Sequence, residues 1–254
     1  MLGSFLSRGT FIDVTRKKKW PTPPADDRKL AILMVLFALL MAGRVYLAEN
    51  PQNNPWAPLD LRDERGWATP TKLSGLRGSI EDCRAVLDRS EVAFTPLPAT
   101  GDGECRRDDR LTLGTMPFAP RFPQFTCPVA AGMVLWLEKD LQPLSEEILG
   151  GKVARIQQYG TYSCRRMYND ANAPWSEHAT GNAIDIAGFI LEDGRTISVL
   201  RDWGEDDEEA RFLKAARDAA CGNFGTVLSP EYNAAHADHF HLDQGRNPAM
   251  GACR

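Results

Sequence analysis

Histidine is scarce in this chain, with four in 254 residues, at positions 178, 236, 239 and 241. Basic charge is in no excess either, since 30 Lys and Arg stand against 34 Asp and Glu for a net of -4. A surface that grips a phosphate backbone carries a positive balance, so nucleic acid is not an expected partner. None of the six cysteines is spaced as C-x-x-C, which removes local support for a cysteine zinc site or a thioredoxin-like redox motif. The chain has no internal repeat, no low-complexity tract and only one long apolar run. With 43% hydrophobic and 25% charged residues, it is a globular protein with one core; disordered, collagen-like and polytopic membrane classes are excluded.

The single apolar run occupies residues 30–48, uninterrupted through Gly43 and broken once by Arg44. Arg44 lies near one end, where its long stem reaches back to the headgroups, so the run approaches the roughly 20 residues needed to cross a bilayer. Arg16, Lys17, Lys18, Lys19, Arg28 and Lys29 precede it, and positive charge beside a first hydrophobic segment holds that side in the cytoplasm. The expectation is a cytoplasmic basic tail over residues 1–29 and a single-pass inner-membrane signal anchor over residues 30–48. The C-terminal part then lies in the periplasm or outside the cell. A cleaved signal peptide is the alternative, and it delivers the same exported domain. Without residues 1–29 and Arg44, 22 basic and 31 acidic residues remain, a net of -9 that does not favour docking to anionic lipid by charge. Every cysteine (Cys83, Cys105, Cys127, Cys164, Cys221, Cys253) falls beyond the run. The even count in an exported domain predicts three disulfides and leaves fifteen pairings open.

Residues 49–78 are rich in Pro, Asn and charge without a sustained apolar period, and read as a linker. The domain is expected over residues 79–254, opening with a helix capped by Ser79. Apolar residues fall at helical spacing over 129–141 and again over 144–149, where Gly150 and Gly151 end the helix. Residues 153–159 and 183–191 read as strands, Glu192 to Arg195 as a hairpin turn, and 196–200 as its return strand. A helix over 206–220 and short strands over 225–228 and 239–242 complete the pattern. Helices followed by antiparallel hairpins, with no alternating βα repeat, predict an α+β fold.

The four histidines sit in two short patches. In the first, Ser176-Glu177-His178-Ala179-Thr180-Gly181-Asn182-Ala183-Ile184-Asp185, a loop histidine stands ahead of a strand aspartate. On that strand Asp185 and Ala187 face one way and Ile184 and Ile186 the other, so the aspartate looks out of the core. In the second, His236-Ala237-Asp238-His239-Phe240-His241, a strand puts His239 and His241 on one face with Phe240 behind them. Imidazoles and a carboxylate converging on one point suit zinc. Two histidines and one carboxylate leave a fourth tetrahedral position open for water, the arrangement of a catalytic site.

Ser176, His178, Gly181, Ala183 and Asp185 match the S-x-H-x-x-G-x-A-x-D signature of the zinc metallopeptidase superfamily of D-alanyl-D-alanine carboxypeptidases, murein endopeptidases and the hedgehog domain. The stretches SCR, SEHATGNAIDIAGF, TVLSPEYN and HADHFHLD, with Asp202-Trp203, resemble the extensin-like protein C-terminal domain family, which is similar to that superfamily. The resemblance implies a small antiparallel sheet with flanking helices and a zinc ion held by His178, Asp185 and His241. For the base it implies either His239, with His236 beside it, or Asp238. It places Arg165 where a substrate carbonyl or carboxylate is oriented and a developing oxyanion stabilised. Cys164 is expected in a disulfide. Trp175, Trp203 and Tyr162 are expected in a substrate groove or in the core, and Asp243 either behind a ligand imidazole or at a solvated strand end.

The implied function is a membrane-anchored, zinc-dependent peptidase acting on peptidoglycan stem peptides or their cross-links. The alternatives are a non-catalytic zinc module that binds the wall or a protein, and a wall protein held by disulfides alone. The pattern specifies neither an oligomeric state nor which bond is cut.

Overall fold

The computed structural model describes residues 25–245 and 251–254, so the basic cluster at Arg16 to Lys19 lies outside the described residues. The chain divides into two units, residues 1–46 and 47–254. The described part of the first lies in a helix, α1 (Ala25–Glu49), with exposed apolar side chains all round, such as Leu33, Phe37 and Leu40. Within its stretch Asp26–Glu49 an 18-residue window reaches a mean hydropathy of 2.3, and the stretch is long and apolar enough to cross a membrane. At 1.5 Å per residue it measures about 36 Å, against a hydrocarbon core of about 30 Å.

The second unit starts well before Ser79, and here the linker reading of residues 49–78 is corrected. A short helix, α2 (Thr69–Gly75), lies in that segment, and Leu59, Leu61, Leu73 and Leu76 are all in the core. The backbone N–H of Leu61 donates to Ser90 Oγ at 2.8 Å, and Arg65 donates to Asn223 Oδ1 at 2.6 Å and pairs with Asp140. The buried leucines are isolated and irregularly spaced, so no periodicity announces them; Pro and Asn shape the turns between.

Ser79 does cap the next helix, α3 (Ile80–Arg89), its hydroxyl accepting from Asp82 N–H at 3.1 Å. Strands β1 (Phe94–Pro96) and β2 (Leu111–Leu113) then pair antiparallel, and β3 (Phe118–Ala119) leads to the buried helix α4 (Cys127–Trp136). Where two separate helices were expected, the chain stays helical through a wide π turn, Leu137–Leu141, into α5 (Gln142–Leu149). Pro143 has no N–H for the regular ladder, and the wider turn absorbs that loss. The helix ends at Gly150, left-handed at φ 71°.

The remaining elements are β4 (Val153–Gly160), β5 (Ala183–Leu191), β6 (Thr196–Ser198), α6 (Val199–Asp202), α7 (Glu208–Ala220), β7 (Thr226–Leu228), β8 (Phe240–Asp243) and β9 (Ala252–Cys253). The return strand expected over 196–200 stops at Ser198, because Asp202 Oδ2 accepts from Ser198 N–H at 2.7 Å and starts α6. The sheet runs β3-β4-β5-β8-β7-β9, with β6 also on β5. Its centre is antiparallel, as expected, but β3 joins β4 and β9 joins β7 in parallel, so the sheet is mixed. The fold is α+β. On one face Trp136 packs edge-on to Phe189 and Phe224, and its indole N–H donates to Ala216 O in α7 at 2.9 Å. Disulfides join Cys83 to Cys127, Cys105 to Cys164 and Cys221 to Cys253, the three bridges expected from the count.

Candidate metal centre

The centre lies on the face of β5 and β8 that the helices leave open. Register decides it: Ile184 pairs with Leu242, Asp185 with His241 and Ile186 with Phe240. Ile184, Ile186, Phe240 and Leu242 are completely buried, so alternation turns Asp185 and His241 to the opposite face. His178 arrives from a short 3-10 turn, Glu177–Thr180, capped by Ser176, whose hydroxyl accepts from His178 N–H at 3.3 Å. Gly181 closes that turn at φ 74°, a conformation that favours glycine, and lets the chain enter β5 two residues later.

Three atoms meet there. His178 Nε2 stands 3.1 Å from Asp185 Oδ1 and 3.0 Å from His241 Nδ1, which is itself 3.1 Å from Asp185 Oδ1. The far side of each ring fixes its tautomer. His178 Nδ1 donates to the carbonyl of Thr161 at 3.2 Å, and His241 Nε2 donates to Asp243 Oδ2 at 3.0 Å. Each ring therefore turns its other nitrogen, with a lone pair, toward a carboxylate oxygen, and a single shared proton cannot satisfy all three acceptors. A divalent cation does. Tetrahedral zinc ligands at about 2.0–2.1 Å stand roughly 3.3 Å apart, close to the separations here. Among the described residues this is the single group of three or more His, Cys, Asp or Glu so placed.

Without a cation, one proton takes that place. Burial disfavours charge on His241, but hydrogen bonds to Asp185 and Asp243 outweigh it and push the ring up to about 9. Burial likewise opposes charge on Asp185, yet the contacts of its carboxyl with the His178 and His241 rings hold it far below the ordinary range.

Of the expected auxiliary residues, Arg165, Trp175, His236 and His239 line one cleft of about 330 Å³ beside the triangle. His239, just ahead of β8, donates from Nδ1 to Asp238 Oδ1 at 2.8 Å, while its Nε2 lies 3.5 Å from Asp185 Oδ1. Asp238 is thus behind His239. His236 is buried; its Nδ1 donates to Asn233 Oδ1 at 2.7 Å and its ring lies 5.3 Å from that of His239. Burial, then repulsion from His239 and His241, lowers it to about 4, so it is neutral at pH 7. Arg165 lines the cleft, on a loop tied down by the Cys105–Cys164 bridge; no partner of its guanidinium stands among the described residues. Asp243 is the partner of a ring nitrogen, not a solvated strand end. Trp175 lines the cleft, with Arg166 stacked on it at 4.7 Å. Trp203 packs on Phe240 at 5.6 Å, on the core side, and the exposed Tyr162 lies under Arg107 at 4.5 Å, away from the cleft.

Several contributors carried no sequence signal of their own. Glu177 lines the cleft; burial raises its carboxyl, and Oε2 accepts from Asn182 Nδ2 at 2.7 Å. Its one signal is its place beside His178. Asn233 accepts from both His236 and Ala235 and donates to the Tyr168 hydroxyl at 3.2 Å, linking the loop of Tyr168 to that histidine. No curated protein and no solved structure matches this chain. A family model matches residues 81–254, which take in every residue of the centre and all three disulfides, and the chain therefore belongs to the family described as extensin-like protein C-terminus.

Proposed function

We propose that this protein is a membrane-anchored zinc peptidase that hydrolyses an amide bond of peptidoglycan stem peptides or their cross-links. The observation that carries the reading is the convergence of His178 Nε2, Asp185 Oδ1 and His241 Nδ1, with both rings oriented from behind, at a cleft lined by an oriented imidazole, His239, and by Arg165. The cleft volume falls in the range of about 300–1,000 Å³ typical of small-molecule sites. The wall substrate, the hedgehog and D-alanyl-D-alanine peptidase-like fold, and the inner-membrane placement with a periplasmic domain follow from the resemblance of the motifs and from the basic tail ahead of α1.

His178, Asp185 and His241 would hold the zinc, which would supply a Lewis acid to polarise a carbonyl and lower the pKa of a bound water to about 7. The chain's own residues do the rest. Asp238 fixes the His239 tautomer, leaving Nε2 to take a proton from the attacking water and return it to the departing amine. This arrangement favours His239 over Asp238 as the base, since the carboxylate is spent on the ring. His236, neutral and held by Asn233, keeps the His239 ring in place. Arg165 orients the substrate carbonyl or carboxylate and offsets the negative charge that grows on the carbonyl oxygen.

Mass spectrometry of muropeptides incubated with the zinc-loaded, oxidised full chain tests this. One defined bond is expected to be cleaved, with loss of cleavage in chelator and in His178→Ala or Asp185→Ala. Undiminished turnover in both variants would sink the peptidase. A chain with one bound zinc and no cleavage would turn the reading to a binding module.

A further inference from the structure

The six tryptophans divide by environment. Among the described ones, Trp136 is buried, Trp203 packs on the core and Trp175 lines the cleft, whereas Trp56 and Trp67 expose 83% and 65% of their surface. Each indole joins a large apolar body to one N–H donor. Full exposure wastes that body in water, and the headgroup layer of a bilayer suits both parts.

Both residues belong to the unit of residues 47–254, in the segment that follows α1. Their turns are fastened together. The backbone N–H of Trp56 donates to Asn54 Oδ1 and that of Trp67 to Asn53 Oδ1, each at 3.1 Å. A Cβ on Gly66 would stand 2.2 Å from the carbonyl oxygen of Gln52, so the two turns approach as closely as backbones can. The Asn54 amide also reaches the carbonyl of Leu47, in the last turn of α1, at 3.4 Å. Two exposed indoles therefore project from adjoining turns early in this unit.

We infer that Trp56 and Trp67 seat this domain on the surface of the same bilayer that α1 spans. The inference rests on the anchor in the reading above and is independent of the proposed chemistry. Continuity of the chain names the occupant: Trp56 is seven residues beyond Glu49, at most about 24 Å away even if fully extended. The net charge of -9 beyond residue 48 rules against attraction to anionic lipid, so the contact is aromatic insertion, not charge pairing.

Fluorescence in lipid tests it. The full chain carrying Trp20→Phe is reconstituted into phosphatidylethanolamine and phosphatidylglycerol vesicles whose acyl chains are brominated near the headgroup. It is compared with the same chain carrying Trp56→Phe and Trp67→Phe. Bromine is expected to quench the parent and to lose most of that effect in the double variant. Flotation on a density gradient reports insertion of α1 separately, and an unchanged thermal unfolding midpoint shows that the variant folds. Chains that float but are quenched equally overturn the seating and leave the anchor standing; chains that fail to float overturn both.

Discussion

The two faces of β5 and β8 are built from alternate residues of the same strands and obey opposite physics. Ile184, Ile186, Phe240 and Leu242 face the helices and are fully buried, so their role is to exclude water. One residue along, Asp185 and His241 hold charge and lone pairs against burial, kept there by hydrogen bonds to each other and to Asp243. Stability and chemistry thus sit about one side chain apart yet respond to different changes. Folding rests chiefly on one face, and the metal affinity we propose on the other.

The sharpest way to break this contrast is to truncate each face in turn. Phe240→Ala is expected to lower stability by about 3–5 kcal/mol in denaturant titrations, as a large buried ring leaves a cavity. Asp185→Ala is expected to retain the fold and lose zinc, read by metal analysis, and with it all hydrolysis. A cooperative fold that depended on Asp185 as much as on Phe240 would dissolve the distinction.

Within the cleft face, His239→Gln is expected to lower kcat by about 10²- to 10⁴-fold while zinc content stays at that of the parent. Kinetics and metal analysis on the same sample separate the two roles. Asp243→Asn acts behind His241, a proposed ligand, and a carboxylate in that position is expected to be worth about 10- to 100-fold in zinc affinity, measured by competition with a chelating dye.

The smallest effect is graded by pH. Because the His241 ring is raised to about 9 without metal, zinc must displace its proton, and apparent affinity is expected to rise about tenfold per pH unit up to that value. The sign for stability runs the other way in the metal-free domain. A raised native pKa stabilises fully below the unfolded value of about 6.5, and that stabilisation is lost as pH rises through about 9. Thermal unfolding of the chelated protein is therefore expected to weaken toward alkaline pH while the zinc-loaded protein holds. Parallel profiles would show that His241 carries no such proton.

Much of the site was legible because its signals are local. The two histidine patches, the alternation that turns Asp185 away from Ile184 and Ile186, and the Ser79 cap each need only a few neighbouring residues. Residues 49–78 were misread for the complementary reason: Leu59, Leu61, Leu73 and Leu76 find the core one at a time, and only partners such as Ser90 and Asn223 make the segment part of the domain. Asn233 escaped notice because nothing in its own surroundings marks a polar residue whose hydrogen bonds build a cleft, and Glu177 because its place beside His178 says nothing of its partner Asn182.

The sequence by itself determined the apolar run, the α+β pattern and the residue types a metal requires, because composition and short periods carry that information along the chain. Tertiary structure alone decided that Asp185 meets His241, which of fifteen cysteine pairings forms, and that Asp238 stands behind His239 rather than in the cleft. The first of those depends on a register between segments more than fifty residues apart in sequence, as Asp185 and His241 are, and such a register is chosen by how the buried faces fit together.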